Sequence, residues 1–396
     1  MSDTSRMRMK VLVLDADSSA GLETVQSLGR QGCIVDTVEL RREYMRRKSR
    51  FIRRQITLSL ATDGVTRALV DLYQAEGYDL VVPTTEVSLL ELLSPKIPEA
   101  MYQRAALAPR ESLHTALNKQ TVWSLAQSIG VRVPFSEVVS SSSAPPETFP
   151  VVLKPVVSKT NTSGVVRDYS VTIARDLDQW RAALGSIDSG IPVQQQPYIA
   201  GKGVGVEMLF EHGEPRWAFV HERLHELPLT GGGSSYRVSL GLEGALVRDA
   251  TLLLSALRWH GVAMVEVKVT PGGEAYLVEI NPRLWGSLAL SIDCGVDFPA
   301  GLLCLATRQP VSTQPRYRIG YFARNVSRDL EWFKANLQAD HANPLLLTRP
   351  ILRSALEWLR PLAGKESWDF FCWSDLAVIL GEWTTIAREL WRRVLR

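Results

Sequence analysis

Residues 261–287, GVAMVEVKVTPGGEAYLVEINPRLWGS, constrain the fold of this chain more than any other stretch. Two runs that alternate in period two, MVEVKV and AYLVEIN, flank a Pro-Gly-Gly turn, the pattern of a β-hairpin. Alternation places Glu279 and Asn281 on one face, and Glu266 reaches that face across the hairpin. Two carboxylates and an amide oxygen, with no His or Cys beside them, are hard donors suited to Mg²⁺, which keeps several waters and takes its other ligands from phosphates. Arg283 follows on the same side, its planar fork matched to phosphate or carboxylate oxygens. The same E-x-N-x-R spacing also fits the solvent face of an ordinary hairpin, so its meaning depends on what stands upstream.

A chain of 396 residues has room for two or three domains, and 45% hydrophobic with 22% charged residues is a globular composition. No apolar run approaches the roughly eighteen residues of a membrane span. The N-terminal MSDTSRMRMKVLVLD passes from a charged stub into a strand with no signal peptide, so the expected location is cytoplasmic. Cys33, Cys294, Cys304 and Cys372 lack metal spacing or a paired framework and read as reduced thiols, mostly in the core. A net charge of +3 is too small to argue for nucleic acid. The basic run RREYMRRKSRFIRR at 41–54 reads as a solvated helix or loop, with contact to an anion or a membrane surface as the alternative.

Taken in order, KVLVLDA at 10–16 is a buried-type strand, DSSAGLETVQSLGRQG a Ser/Asp-capped helix ending at Gly32, and CIVDTVEL a second strand. This strand-helix-strand start lacks G-x-G-x-x-G. A helical stretch at VTRALVDLYQAEG leads to the strand YDLVVPTTE, whose corner residues Thr84, Thr85 and Glu86 are candidates for a substrate wall or, alternatively, a capped turn. Residues 111–134 read as one helical stretch with Lys119 near its start, and SSSSAPPETFP at 140–150 as a joint. Lys154 ends the apolar strand VVLKP, where a buried ammonium needs an anion such as phosphate. The Ser/Thr/Gly-rich loop VVSKTNTSGVV could donate backbone N–H groups to phosphates. In VQQQPYIAGKGVGVEMLF, Pro197, Gly201, Gly203 and Gly205 suit a regular central strand badly, and the exposed backbone expected there could pair with adenine through the carbonyl of Pro197 and the N–H of Ile199. Glu207 is then a candidate for the ribose hydroxyls or the metals.

The ordered set Lys119 in N-K-x-x-x-W, Lys154 in F-P-V-V-L-K-P, Q-P-Y-I-A-G at 196–201 and V-E-I-N-P-R at 278–283 resembles the ATP-grasp superfamily over about residues 10–310. HERLHELPLTGGGSSYRVS at 221–239 and the run that continues from E-I-N-P-R are similar to a group of predicted carboxylate-amine ligases. The fold class implied is α/β: a Rossmann-like preATP-grasp domain over 1–110, then an α+β ATP-grasp domain over 111–310, divided into an ATP-binding subdomain (111–200) and a catalytic subdomain (201–310). The resemblance implies ATP between the subdomains, with Lys119 and Lys154 on its phosphates and Gln196, Pro197, Tyr198 and Ile199 along adenine. It implies Glu266, Glu279 and Asn281 on one or two Mg²⁺ (or Mn²⁺) ions, and Arg283 on an acyl phosphate. Asn118 stands where relatives often carry Asp, and Pro197 where they often carry Glu; both positions can be read through backbone. The stretch 221–239 is expected to be a long specificity loop in which Arg223 holds a carboxylate substrate and His225 and Arg237 supply further donors.

Past 310 the resemblance fades into a Trp- and Arg-rich extension, 311–396, read as helical. Its last stretch, SDLAVILGEWTTIARELWRRVLR, has the pattern of an amphipathic helix that docks on the protein or a partner subunit, or lies at a membrane interface. The activity implied is ATP-dependent, ADP-forming amide synthesis from small-molecule carboxylate and amine substrates, with no nucleic-acid partner; a homodimer and peripheral membrane contact stay open. A nucleotide-binding sensor without turnover is the alternative, and phosphorylation or carboxylation on the same scaffold is a third reading.

Overall fold

The computed structural model of the chain describes residues 8–40, 48–58, 64–157, 159–162, 165–187, 190–242, 244–381 and 383–384, with backbone alone at 159–162 and 165–167. Four strands form the first sheet: β1 (Lys10–Leu14), β2 (Ile34–Val38), β3 (Ile52–Ile56) and β4 (Leu80–Pro83), all parallel in the order β3-β2-β1-β4. Helix α1 (Ser19–Arg30) opens on Ser18, whose hydroxyl accepts the N–H of Gly21; α2 (Gly64–Glu76), α3 (Glu86–Leu92) and α4 (Glu99–Gln103) complete this part. One expectation changes here and one pair of alternatives is decided. Arg53 and Arg54 lie on strand β3 rather than in a solvated helix or loop, and both pair with Asp36, Arg54 at 2.8 Å. Burial would raise the Asp36 carboxyl, but hydrogen bonds from Arg53, Arg54 and Tyr78 bring it down to about 2. Residues 41–47 of that basic run lie outside the described residues. The Thr84–Glu86 corner is a capped turn: Thr84 donates to the carbonyls of Leu14 and Asp15, and Thr85 caps α3.

The expected single helical stretch at 111–134 is two helices, α5 (Arg110–Leu117) and α6 (Lys119–Ser128). They are separated by Asn118, whose extended backbone and side-chain bonds to the N–H groups of Gln120 and Thr121 make it an N-cap. Lys119 therefore begins a helix, and its own N–H donates to the carbonyl of Val156, just past Lys154. Then follow β5 (Glu137–Val139), β6 (Val151–Pro155), the hairpin of β7 (Lys159–Thr162) and β8 (Val165–Asp168), β9 (Thr172–Ala174), α7 (Leu177–Gly185) and β10 (Val193–Pro197). Strands β5-β10-β6-β9 make an antiparallel sheet over a small core of Leu153, Trp180 and Val193. The turn of the β7–β8 hairpin, residues 163–164, lies outside the described residues.

The largest sheet is built from β11 (Lys202–Glu211), β12 (Glu214–Leu227), β13 (Gly233–Leu240), β14 (Gly261–Val269), β15 (Ala275–Asn281), β16 (Phe322–Arg324) and β17 (Glu366–Trp368). Their order is β15-β14-β11-β12-β13-β16-β17. Helices α8 (Ala245–Ala256), α9 (Leu288–Cys294), α10 (Phe298–Ala306), α11 (Val326–Gln338) and α12 (Ile351–Glu357) surround it. One core runs from α1 and β1 through Leu209 and Phe219 to α9 and α10, joining the first sheet to the largest. No single helix among the described residues is long and apolar enough to cross a membrane; α9 and α10 together pass by length and composition, but they meet at 90°.

Three further expectations are overturned in this sheet. Gly203 and Gly205 sit inside β11, a central strand paired on both sides and in unbroken register at these two positions. They are glycines for steric reasons: a Cβ at Gly205 would stand 2.3 Å from Cε1 of buried His221, and one at Gly203 would stand 2.9 Å from Glu226 Oε1. Residues 221–239 are mostly the strands β12 and β13 with a short turn, not a long loop. The extension past 310 is not all helical, because β16 pairs with β13 and β17 pairs with β16. Trp332 of α11 is fully buried and stacks on His225 at 3.5 Å between ring centroids. Of the expected terminal amphipathic helix, Leu376–Gly381 is helical and residues 385–396 lie outside the described residues. The four cysteines are free, with Cys294 and Cys372 buried.

Candidate active site

The bulge between β14 and β15 sets the site. Glu266 lies opposite Glu279 and Val267 opposite Leu277, so Val278 is the extra residue. Without it, strict alternation would put Leu277 on the same face as Glu279; with it, Leu277 enters the core while Glu279 and Asn281 face a cleft of about 400 Å³. The opposite wall comes from the β5-β10-β6-β9 sheet. Lys154 projects from β6, Gln196 and Pro197 from β10, and Tyr198 and Ile199 follow; Lys119 enters from the start of α6. Val152 and Ile173 give this wall an apolar patch.

The polar groups converge. Nδ2 of Asn281 donates to Oε1 of Glu266 at 2.8 Å and to Oε1 of Glu279 at 3.2 Å, so two carboxylates from adjacent strands aim at one point. Arg223 Nη2 lies 2.6 Å from the same Glu266 oxygen, and Lys119 Nζ lies 3.7 Å from Oε2 of Glu279. Arg283 donates to Oδ1 of Asn281 and to the carbonyl of Leu284. Burial alone would raise the Glu266 carboxyl, but Arg223 above all, then Arg283 and Lys154, hold it below its ordinary value. Burial pushes the Lys154 ammonium down to about 8, against the pull of Glu279 and with the push of Lys119. The donor set fits a hard cation: both carboxylates already reach one nitrogen, and rotation of the Asn281 amide would turn its oxygen to the same point. Among the described residues no group of three His, Cys, Asp or Glu side chains is placed to hold a metal ion, so two carboxylates and an amide are the most this site offers.

Of the residues expected here, three are displaced. Glu207 is fully buried beneath the cleft, with its Oε1 3.0 Å from Ser287 Oγ and 3.0 Å from His221 Nδ1, and it does not line the cavity. Burial raises its carboxyl well above the ordinary value and lowers His221 well below. Arg237 and His225 are also withdrawn: Arg237 pairs with buried Asp369, and His225 lies between Asp329 at 2.7 Å and Glu357 at 3.0 Å. Arg223 alone of the three faces the cleft.

A family model described as "ATP-grasp in the biosynthetic pathway with Ter operon" matches residues 194–327. Solved structures match over most of the chain. An N5-carboxyaminoimidazole synthetase from Staphylococcus aureus, also solved with ADP, is 14% identical, with 84% of this chain and 87% of that one covered at a TM-score of 0.63. An L-amino acid ligase from Bacillus licheniformis is 15% identical, with 77% and 75% covered at 0.58, and a biotin carboxylase from Campylobacter jejuni 12% identical, with 80% and 75% covered at 0.60. The chain has the ATP-grasp fold, and an ATP-grasp family model matches its residues 194–327. None of the curated proteins matches it.

The cleft of this ATP-grasp fold also holds side chains that the sequence analysis did not single out. Lys268 lies 5.9 Å from the Tyr198 ring, and Glu226 accepts the N–H of Gly232 at the cleft edge. Lys268 was legible: it lies two residues after Glu266 on the same alternating strand. Glu226 was not, because register shifts between Arg223 and Glu226 break the alternation of β12.

Proposed function

We propose that this protein is an ATP-dependent, ADP-forming carboxylate-amine ligase. The observation that carries the reading is the convergence of Glu266, Glu279 and Asn281 opposite Lys154 and Lys119 in one cleft. Adenine would lie on Val152, Ile173 and Ile199, read by the carbonyl of Pro197 and the N–H of Ile199, with Gln196 and Tyr198 beside it. Lys154 and Lys119 would hold the phosphates. Glu266, Glu279 and Asn281 would hold Mg²⁺ or Mn²⁺, which when bound neutralises charge on the phosphates. A substrate carboxylate oxygen attacks the γ-phosphorus in line as the bond to the β-phosphate oxygen breaks, giving an acyl phosphate and ADP. The amine nitrogen then attacks the acyl carbon, loses a proton and expels phosphate, leaving an amide. Arg283, fixed by Asn281 and the Leu284 carbonyl, is preorganised to meet negative charge at the reacting carboxyl, and Arg223 to orient the substrate.

The experiment is a screen for ADP release over pairs of carboxylates and amines. ADP and phosphate formed only when both partners are present is the expected result; AMP with pyrophosphate, or no turnover with tight ATP binding, would replace this reading with another chemistry or with a sensor. A pH effect follows from Lys154. With its ammonium at about 8 in the free protein, ATP binding above that pH must draw in a proton to restore the charge. Affinity should be level below pH 8 and fall by up to about tenfold per unit above it, read by calorimetric titration. A flat profile from pH 7 to 9.5 would remove Lys154 from the phosphates.

A further inference from the structure

A second cavity of about 210 Å³ adjoins the cleft and shares Arg223, Glu266 and Arg283 with it. Its far side is polar. Ser19 comes from the first turn of α1, Ser234 from β13, and Arg328 from α11, in the extension beyond the residues that resemble the family. The charges do not balance: three guanidinium groups face one carboxylate. Arg223 is matched by Glu266 at 2.6 Å. Arg283 spends its donors on neutral acceptors, an amide oxygen and a carbonyl. Among the described residues no carboxylate stands within 4.0 Å of Arg283 or Arg328. A Cβ at Gly233 would stand 2.9 Å from Nη2 of Arg328, so the bare glycine is what lets this guanidinium lie against the β12–β13 hairpin. A cavity with two uncompensated cations, smaller than the roughly 300 Å³ of ordinary ligand sites, suits a small doubly anionic occupant.

We propose that this cavity binds a substrate carboxylate other than the one that is activated, and that Arg328 is the specificity residue holding it. The inference rests on the ligase reading for the activated carboxylate, which lies toward Arg283. The second carboxylate belongs either to the same molecule, a dicarboxylate, or to the amine partner, an amino acid.

The test uses the full chain with Mg-ATP and matched probes: L-glutamate against L-glutamine, L-aspartate against L-asparagine and succinate against succinamate, each with ammonia, and separately acetate or propionate with L-amino acids against their amides. ADP release and equilibrium binding in the presence of ADP are both read. The expected result is a preference of about tenfold to a hundredfold for the probe with the extra carboxylate. Arg328→Met should raise KM for that probe by the same factor with kcat retained, leave its amide unchanged, and be partly rescued by Arg328→Lys. Preference in the first set assigns the carboxylate to a dicarboxylate substrate, and preference in the second to the amine. Binding that discriminates by charge and is lost in Arg328→Met, with no ADP from any pair, would keep this site and remove the ligase reading. ADP release that ignores the extra carboxylate, or binding equal for acid and amide, would overturn the proposal. So would an Arg328→Met effect that lowers kcat equally for both members of a pair.

Discussion

Glu279→Gln should reduce ADP release by about a hundredfold to a thousandfold while leaving the melting temperature of the protein nearly unchanged. The substitution keeps the shape of the side chain and an oxygen for the Asn281 amide, but removes the charge at the point where the two carboxylates converge. Two effects combine. A cation shared with ATP loses one anionic ligand, and Lys119 loses the carboxylate 3.7 Å away. A KM effect on ATP alone, with kcat intact, would mean that Glu279 serves binding and not the phosphoryl-transfer transition state. Wild-type turnover in the variant would remove the metal assignment altogether. Because Glu279 is on the cleft surface, partly exposed and outside the hydrophobic core, a large loss of stability is not expected to cloud the measurement.

Arg324→Ala should destabilise the protein by about 3–5 kcal/mol, the second large effect, and it concerns the extension past residue 310. Arg324 is fully buried on β16; its Nε donates to Glu366 of β17 at 2.7 Å, Nη1 pairs with Asp329 of α11, and Nη2 donates to the carbonyl of Glu357. Its guanidinium lies 3.8 Å from the Tyr236 ring and 4.3 Å from the Trp358 ring. Removing it takes the guanidinium from two buried carboxylates, leaving Asp329 with His225 and Ser235 and Glu366 with the Tyr236 hydroxyl, and that cost exceeds the worth of the pairs themselves. Arg324→Lys should recover little, since a single ammonium cannot meet Glu366, Asp329 and a carbonyl in one plane. A urea midpoint corresponding to less than 1 kcal/mol of change would show that β16 and β17 are not integral to the sheet.

Strands β1, β2 and β4 of the first sheet, the β14–β15 hairpin, and Lys119 and Lys154 of the cleft were legible because period-two alternation and capping residues are local signals. What failed was non-local. The glycines of β11 looked like strand breakers, but their reason is His221 and Glu226, on a strand more than ten residues away. Glu207 shares a strand face with positions that line the cleft, yet His221 and Ser287 enclose it, and nothing in the run GVGVEML announces that closure. The break at Asn118 could have been found, since an Asn followed by Lys-Gln-Thr is a workable cap; the apolar periodicity on both sides concealed it. β16 and β17 are three residues each, too short for any pattern, and exist because β13 offers them an edge.

That edge has a consequence for biosynthesis. On the ribosome, β13 emerges more than eighty residues before β16 and well over a hundred before β17. Until then its outer N–H and C=O groups are open to any passing strand. Truncations that end between residues 241 and 321 should therefore aggregate rather than yield a smaller soluble enzyme, and nascent chains paused in this interval are the ones chaperones would be called on to hold.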